Sequence, residues 1–264
     1  MVKQILLLGM SEDGELQAIY EITEFMRSIV DKFKNYSNDA FYKALVLLHK
    51  YFRMFSLRNS KYDKYLIGTT CLLLASKIEN HPVKLIDLVV IHHRTELTKQ
   101  KWPEESINEK QRIQLQTKIC EIESEISRQI GYDFNIDLPY KYIRKYKEYP
   151  AYNTKEIVKV AEWLCNDTFL KPLCLFYHPM HIAIGCIYFA LLFFKQTLPN
   201  HNGMPWYKFL HAEIKSEHVK SIGEEIKQIY QKMELQKRQF DARYIKTDKV
   251  DPMRNKPLYE KTLQ

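Results

Sequence analysis

Two stretches of this chain, residues 62–79 and 177–196, carry apolar side chains almost all the way round a helix. A surface helix keeps one polar face, and these keep none, so other elements must enclose each of them on every side. The surrounding sequence supplies candidates. Ile19, Ile22, Met26, Ile29, Val30 and Phe33 recur in steps of three and four, which predicts one helix face over residues 15–34. Asn38 or Asp39 can cap a second helix through FYKALVLLHKYFRMF. Pro82 starts a short helix over about 82–93, a polar loop follows from Thr95 to Ser106, and a long helix from about Asn108 to Ile130 stops at Gly131.

Pro139 opens a second series. Segments 139–148 and 154–170 are helical by pattern, Pro172 breaks the chain, and the second apolar helix follows. After a turn-rich loop from Pro199 to Pro205, residues 216–234 form an amphipathic helix with Val219, Ile222, Ile226, Ile229 and Met233 on one side. Each half thus places its fully apolar helix third. An all-α chain built as two tandem five-helix bundles is the simplest architecture. The expected divisions are a leader over 1–14, a first bundle over 15–138, a second over 139–236, and a basic, aperiodic and mobile tail over 237–264. Only 7 Gly and 10 Pro in 264 residues agree with helices rather than strands joined by tight turns.

Charge narrows the function. The net charge is +8, but residues 237–264 hold eight Lys and Arg against four Asp and Glu, so half the excess lies in the tail. No basic stripe marks the predicted bundles, and direct nucleic-acid binding is not expected of them. The apolar run Ile5–Leu8 is too short for a signal-peptide core, and Met180–Phe194 is too short for a membrane span. Five widely spaced cysteines without a CxxC fit a reducing compartment, and the sequons at Asn35 and Asn166 carry no meaning there. No Gly-rich phosphate loop, GxSxG, HExxH or metal-spaced Cys/His set occurs, so no catalytic residue, metal or cofactor is called for. His92-His93-Arg94 reads as a solvated cation cluster at a helix end.

Three motifs resemble a known family. YLIGTTCLLLASKIEN (65–80) resembles the third helix of the cyclin box. KICEIESEISRQIGYDFNIDLPYKYI (118–143) resembles its fifth helix and the linker to a second box. CNDTFLKPLCLFYHPMHIAIGCIYFAL (165–191) resembles the second box of the transcription-type cyclins K, T and L, and MPWYKFL (204–210) is similar to their penultimate loop. The resemblance covers about 15–236.

It implies a regulatory subunit, not an enzyme, that forms a heterodimer with a cyclin-dependent kinase. A transcription-associated kinase acting on RNA polymerase II is favoured, in the nucleus and, as an option, also the cytoplasm. The alternatives are a cyclin H-like subunit of a kinase-activating kinase and a TFIIB-like promoter factor, which would need basic stripes and usually a zinc ribbon. The resemblance gives Lys77 and Glu123 the task of holding the kinase's C helix and the loop before it. Docking then pushes that helix inward and completes the kinase's own Lys–Glu pair. By the same resemblance Ile78, Tyr132 and Phe134 line the apolar part of the groove, while Leu74 belongs to the core. Taken alone, a lysine ending a buried helix usually snorkels to solvent, and a glutamate at position 123 is usually a solvated helix residue. Asn80 departs from the second Glu common in the family, and Ser124 and Ser127 are smaller than usual, which predicts a shallower groove. MRSIV (26–30) looks like the substrate-docking patch of cell-cycle cyclins but lies several residues too late, so it reads as an ordinary helix face.

Overall fold

In the computed structural model residues 12–55, 60–103, 105–149, 154–195, 200–201 and 203–228 are described. The expected tail 237–264 lies outside them. The described residues up to Ile226 pack as one compact unit. The helices of the first series are α1 (Glu12–Val30), α2 (Asn38–Met54), α3 (Lys64–Ile78), α4 (Leu85–Gln100) and α5 (Glu109–Gln129). The second series has α6 (Tyr140–Lys145), α7 (Thr154–Thr168), α8 (Pro179–Phe193) and α9, described over 216–228.

The two apolar helices occupy equivalent places. Both span 15 residues, and they begin at Lys64 and Pro179, 115 positions apart. Every residue of α3 from Leu66 to Ser76 is buried. It packs chiefly on α2, then on α1 and α5, while α8 packs chiefly on α7, then on α6. Gly185 lets α9 approach α8 closely, because a Cβ there would stand 2.4 Å from Ile222 Cγ2. Gly185→Ala is therefore expected to overpack this contact by about 1–3 kcal/mol, seen as a lower melting temperature.

Capping explains where the helices start. Ser37, not Asn38 or Asp39, caps α2: its Oγ accepts the Asp39 and Ala40 N–H groups. Asp63 Oδ1 accepts from Tyr65 N at 2.8 Å and Leu66 N at 3.1 Å at the head of α3. Asn108 and Gln111 form a reciprocal capping box on α5.

Two expectations need correction. The helix placed over 82–93 runs instead from Leu85 to Gln100, so the first half of the polar loop expected over 95–106 is helix. Thr95 and Thr98 satisfy their hydroxyls on the carbonyls of Ile91 and Arg94 one turn back, which lets a polar stretch remain helical on its solvent side. As a result His92 is not at a helix end. It is buried mid-helix with Nδ1 at 2.8 Å from Thr69 Oγ1. Burial also pushes its pKa down to about 4.

In the second series, the place that α4 fills in the first holds a two-residue hairpin, Asn200–His201 with Met204–Pro205, and a single 3-10 turn, Trp206–Phe209. The repeats meet through buried contacts. His49 of α2 lies 2.7 Å from the Phe169 carbonyl, and Tyr42, Tyr140 and Phe169 cluster with ring centroids 5.0–6.3 Å apart. Within MRSIV, Met26, Ile29 and Val30 are buried and the Arg27 guanidinium lies 3.7 Å from the Phe41 ring centroid, an ordinary packed face.

Candidate partner-binding site

Lys77 lies in the last turn of α3. The helix stops one residue past its C-cap, Glu79, where Asn80 takes φ 58° and the His81 N–H returns to the Ser76 carbonyl at 3.0 Å. This left-handed stop gives Asn80 a backbone role, since Asn tolerates positive φ better than Glu. Ser76 steadies the following loop, its Oγ accepting the Val83 N–H at 3.2 Å.

α5 packs against α3, and this brings Glu123 to Lys77 across 46 positions of sequence. Lys77 Nζ donates to Glu123 Oε1 at 2.5 Å. The lysine side chain is 46% exposed and the glutamate 19%. The ammonium keeps two further N–H groups and the carboxylate a second oxygen, so the pair can bind outside groups without first separating.

The aromatic residues hang from the end of α5. Gly131 N–H bonds to Arg128 O at 3.0 Å and Tyr132 N–H to Ser127 O at 2.9 Å, a Schellman stop. Gly131 takes φ 63°, as expected, but Tyr132 takes φ 58° as well. A non-glycine residue held there costs on the order of 1–3 kcal/mol. Its ring is 63% exposed and meets Phe134 edge-on at 6.5 Å, so core packing does not explain it. Tyr132→Gly is expected to hold or raise stability by up to about 1 kcal/mol, since relief of strain outweighs the entropy glycine adds. A thermal melt checks this; a buried ring would instead cost about 3–5 kcal/mol on removal.

Phe134 and Ile78 are half-buried, and Leu74 is core. Ser127 is buried with its hydroxyl on the Glu123 carbonyl, while Ser124 lines an open groove with Leu85, Gln116, Thr117, Cys120 and Glu121 between α4 and α5. Sequence reasoning did not single out Lys43 and Glu79, which form an ion pair joining α2 to the residue that caps α3. Their separation of 36 positions leaves no periodic signal; only the position of Glu79 beside Lys77-Ile78 hints at it. Among the described residues no helix is long and apolar enough to cross a membrane, and no group of three His, Cys, Asp or Glu side chains is arranged to hold a metal ion.

The chain as a whole is similar to known proteins. The family model "Cyclin, N-terminal domain" matches residues 11–135. Cyclin-T1-4 of Arabidopsis thaliana is 30% identical over 198 residues, covering 71% of this chain and 34% of that protein. Cyclin pch1 of Schizosaccharomyces pombe is 28% identical over 202 residues, covering 72% and 55%. The chain thus spans about a third of the length of the plant relative. Among solved structures, a chain of the yeast RNA Pol II CTD kinase CTDK-1 complex superposes with a TM-score of 0.69 at 14% identity, over 84% of this chain and 67% of that one.

Proposed function

This chain belongs to the cyclin family, on its transcription-type side, and from that premise we propose that it is the regulatory subunit of a cyclin-dependent kinase. The observation that carries the reading is the partly exposed Lys77–Glu123 pair; the strained, solvent-facing Tyr132 follows the end of the helix that carries Glu123. An ammonium and a carboxylate on a shared surface select a partner helix by charge-assisted bonds, and their desolvation on docking makes them specific for register.

In this reading the kinase's C helix and the loop before it settle against α3 and α5. Lys77 and Glu123 take backbone and charged groups of the kinase, and Tyr132, Phe134 and Ile78 supply the apolar contact. The cyclin holds the kinase helix inward so that the kinase's own Lys–Glu pair and metal-binding aspartate are in place for phosphoryl transfer. The chain itself contributes no catalytic group. The transcription-type relatives favour a kinase acting on RNA polymerase II, and hence a nuclear site of action.

The test is copurification of the tagged full chain from its own cells. It should bring down one kinase whose activity on a polymerase C-terminal repeat peptide rises by orders of magnitude in the complex, while the chain alone transfers no phosphate. Recovery of no kinase, together with no activation of purified transcription kinases, would end this reading.

A further inference from the structure

Four of the nine histidines gather on one face of the second repeat. His178 caps α8, its Nδ1 accepting the Met180 N–H at 3.2 Å. His211 repeats the device in the turn before α9, its Nδ1 accepting the Glu213 N–H at 3.2 Å. A ring nitrogen that accepts carries no proton, so in this geometry the hydrogen of each capping ring is on Nε2. His181 lies between them, its ring centroid 5.9 Å from that of His178 and 5.4 Å from that of His211. Burial first, then His211, His178 and His218 of α9, hold its pKa below the ordinary value.

The cluster draws its imidazoles from three places in the second repeat. α8 brings His178 and His181, the turn after the 3-10 segment brings His211, and α9 brings His218. From α6, Tyr142 meets His178 edge-on at 6.1 Å. Its hydroxyl donates to Asp137 Oδ2 at 2.7 Å, and Lys141 holds the other oxygen of that carboxylate at 2.9 Å, so this acid is already engaged. Glu213 gives its backbone N–H to His211, and its side chain is exposed.

A metal ion does not suit this arrangement. An imidazole that ligates through Nε2 carries its proton on Nδ1, where both caps already deliver a backbone N–H. What the cluster offers is N–H donors on either side of one imidazole, His181, that an anion can induce to take up a proton. A phosphate monoester matches this, because its oxygens accept several N–H bonds at once and its negative charge favours a proton on the imidazole between the donors. We propose that the His178–His181–His211 cluster binds a phosphate monoester, His178 and His211 donating through Nε2–H while His181 takes up a proton as the dianion arrives.

The test needs no kinase. Imidazole nitrogen NMR of the full chain is followed from pH 5.5 to 7.5 with a phosphoserine peptide, its unphosphorylated counterpart, and inorganic phosphate. The phosphopeptide should raise the His181 pKa, and its binding should weaken towards both ends of this range, as the phosphate gains a proton or the imidazole loses one. His181→Gln, which leaves both caps in place, should cut affinity about tenfold. A response to inorganic phosphate as strong as to the phosphopeptide would support the site and make free phosphate its source. No response to either phosphate form, an equal response to the unphosphorylated peptide, or unchanged affinity in His181→Gln would overturn the proposal.

Discussion

Lys77→Ala and Glu123→Ala are each expected to weaken kinase binding by about 2–4 kcal/mol while leaving the melting temperature nearly unchanged. The two halves of this result have different causes. In the free chain the pair is a partly exposed ion pair, and such pairs contribute only about 0–1 kcal/mol to stability. In the complex the same charges would be desolvated, and truncating one strands a charged or polar kinase group without a partner. The pair is already bonded before docking, so each side chain also orients the other. Losing either should therefore remove much of what both provide, and the double variant should lose clearly less than the sum. Calorimetry of kinase binding beside a melt of each variant decides it. Unchanged affinity in both single variants would exclude this surface, whereas a large drop in melting temperature would show that the pair serves the fold.

How far the sequence foretells this differs between fold and site. The two apolar helices are legible because nothing in α3 or α8 suggests a solvent face; α3 is enclosed from Leu66 to Ser76 as that implies, whereas α8 is enclosed only in its middle, Leu192 and Phe193 of its last turn being about half exposed. The last two turns of α4 are not legible, because Thr95–Gln100 is polar enough to pass for loop, and the back-bonded threonines that keep it helical leave no mark on periodicity. The same miss misplaced His92. Gly131 announced the end of α5, but the left-handed turn continues into Tyr132, a residue that backbone preference would steer away from such a turn. Asn80 was read for a missing charge when its place is set by its backbone. For the site, no periodic rule joins positions 46 apart. The resemblance of two motifs named Lys77 and Glu123, and only the packing of α5 on α3 shows that they touch.

Between pH 6.5 and pH 4 the chain is expected to lose about 3 kcal/mol of stability through His92 alone. The imidazole is enclosed by Thr69 of α3, by Phe25 of α1, whose ring centroid is 5.4 Å away, and by its own helix. Burial lowers its pKa to about 4, and the coulombic pull of Asp63 only partly offsets this. Glu96 Oε2 is 3.9 Å from Nε2, but burial raises the pKa of that carboxyl, and at neutral pH His92 is uncharged, so the two form no ion pair there. The unfolded chain thus binds a proton near pH 6.5 that the folded chain refuses until about pH 4. Stability is full above 6.5, falls as the pH drops through this window, and stops falling through this group below about 4. His49, buried against Phe169 where the repeats meet, is shifted in the same direction and adds to the loss. Urea unfolding of the parent and of His92→Gln at pH 7, 5.5 and 4 isolates the contribution. The variant starts less stable but should show the shallower pH slope, because glutamine does not titrate. Equal slopes would mean that α4 opens enough to hydrate His92 before the chain unfolds. Since α4 packs on both α3 and α5, such an opening would loosen the surface that carries Lys77 and Glu123, and kinase affinity would then fall with pH ahead of global stability.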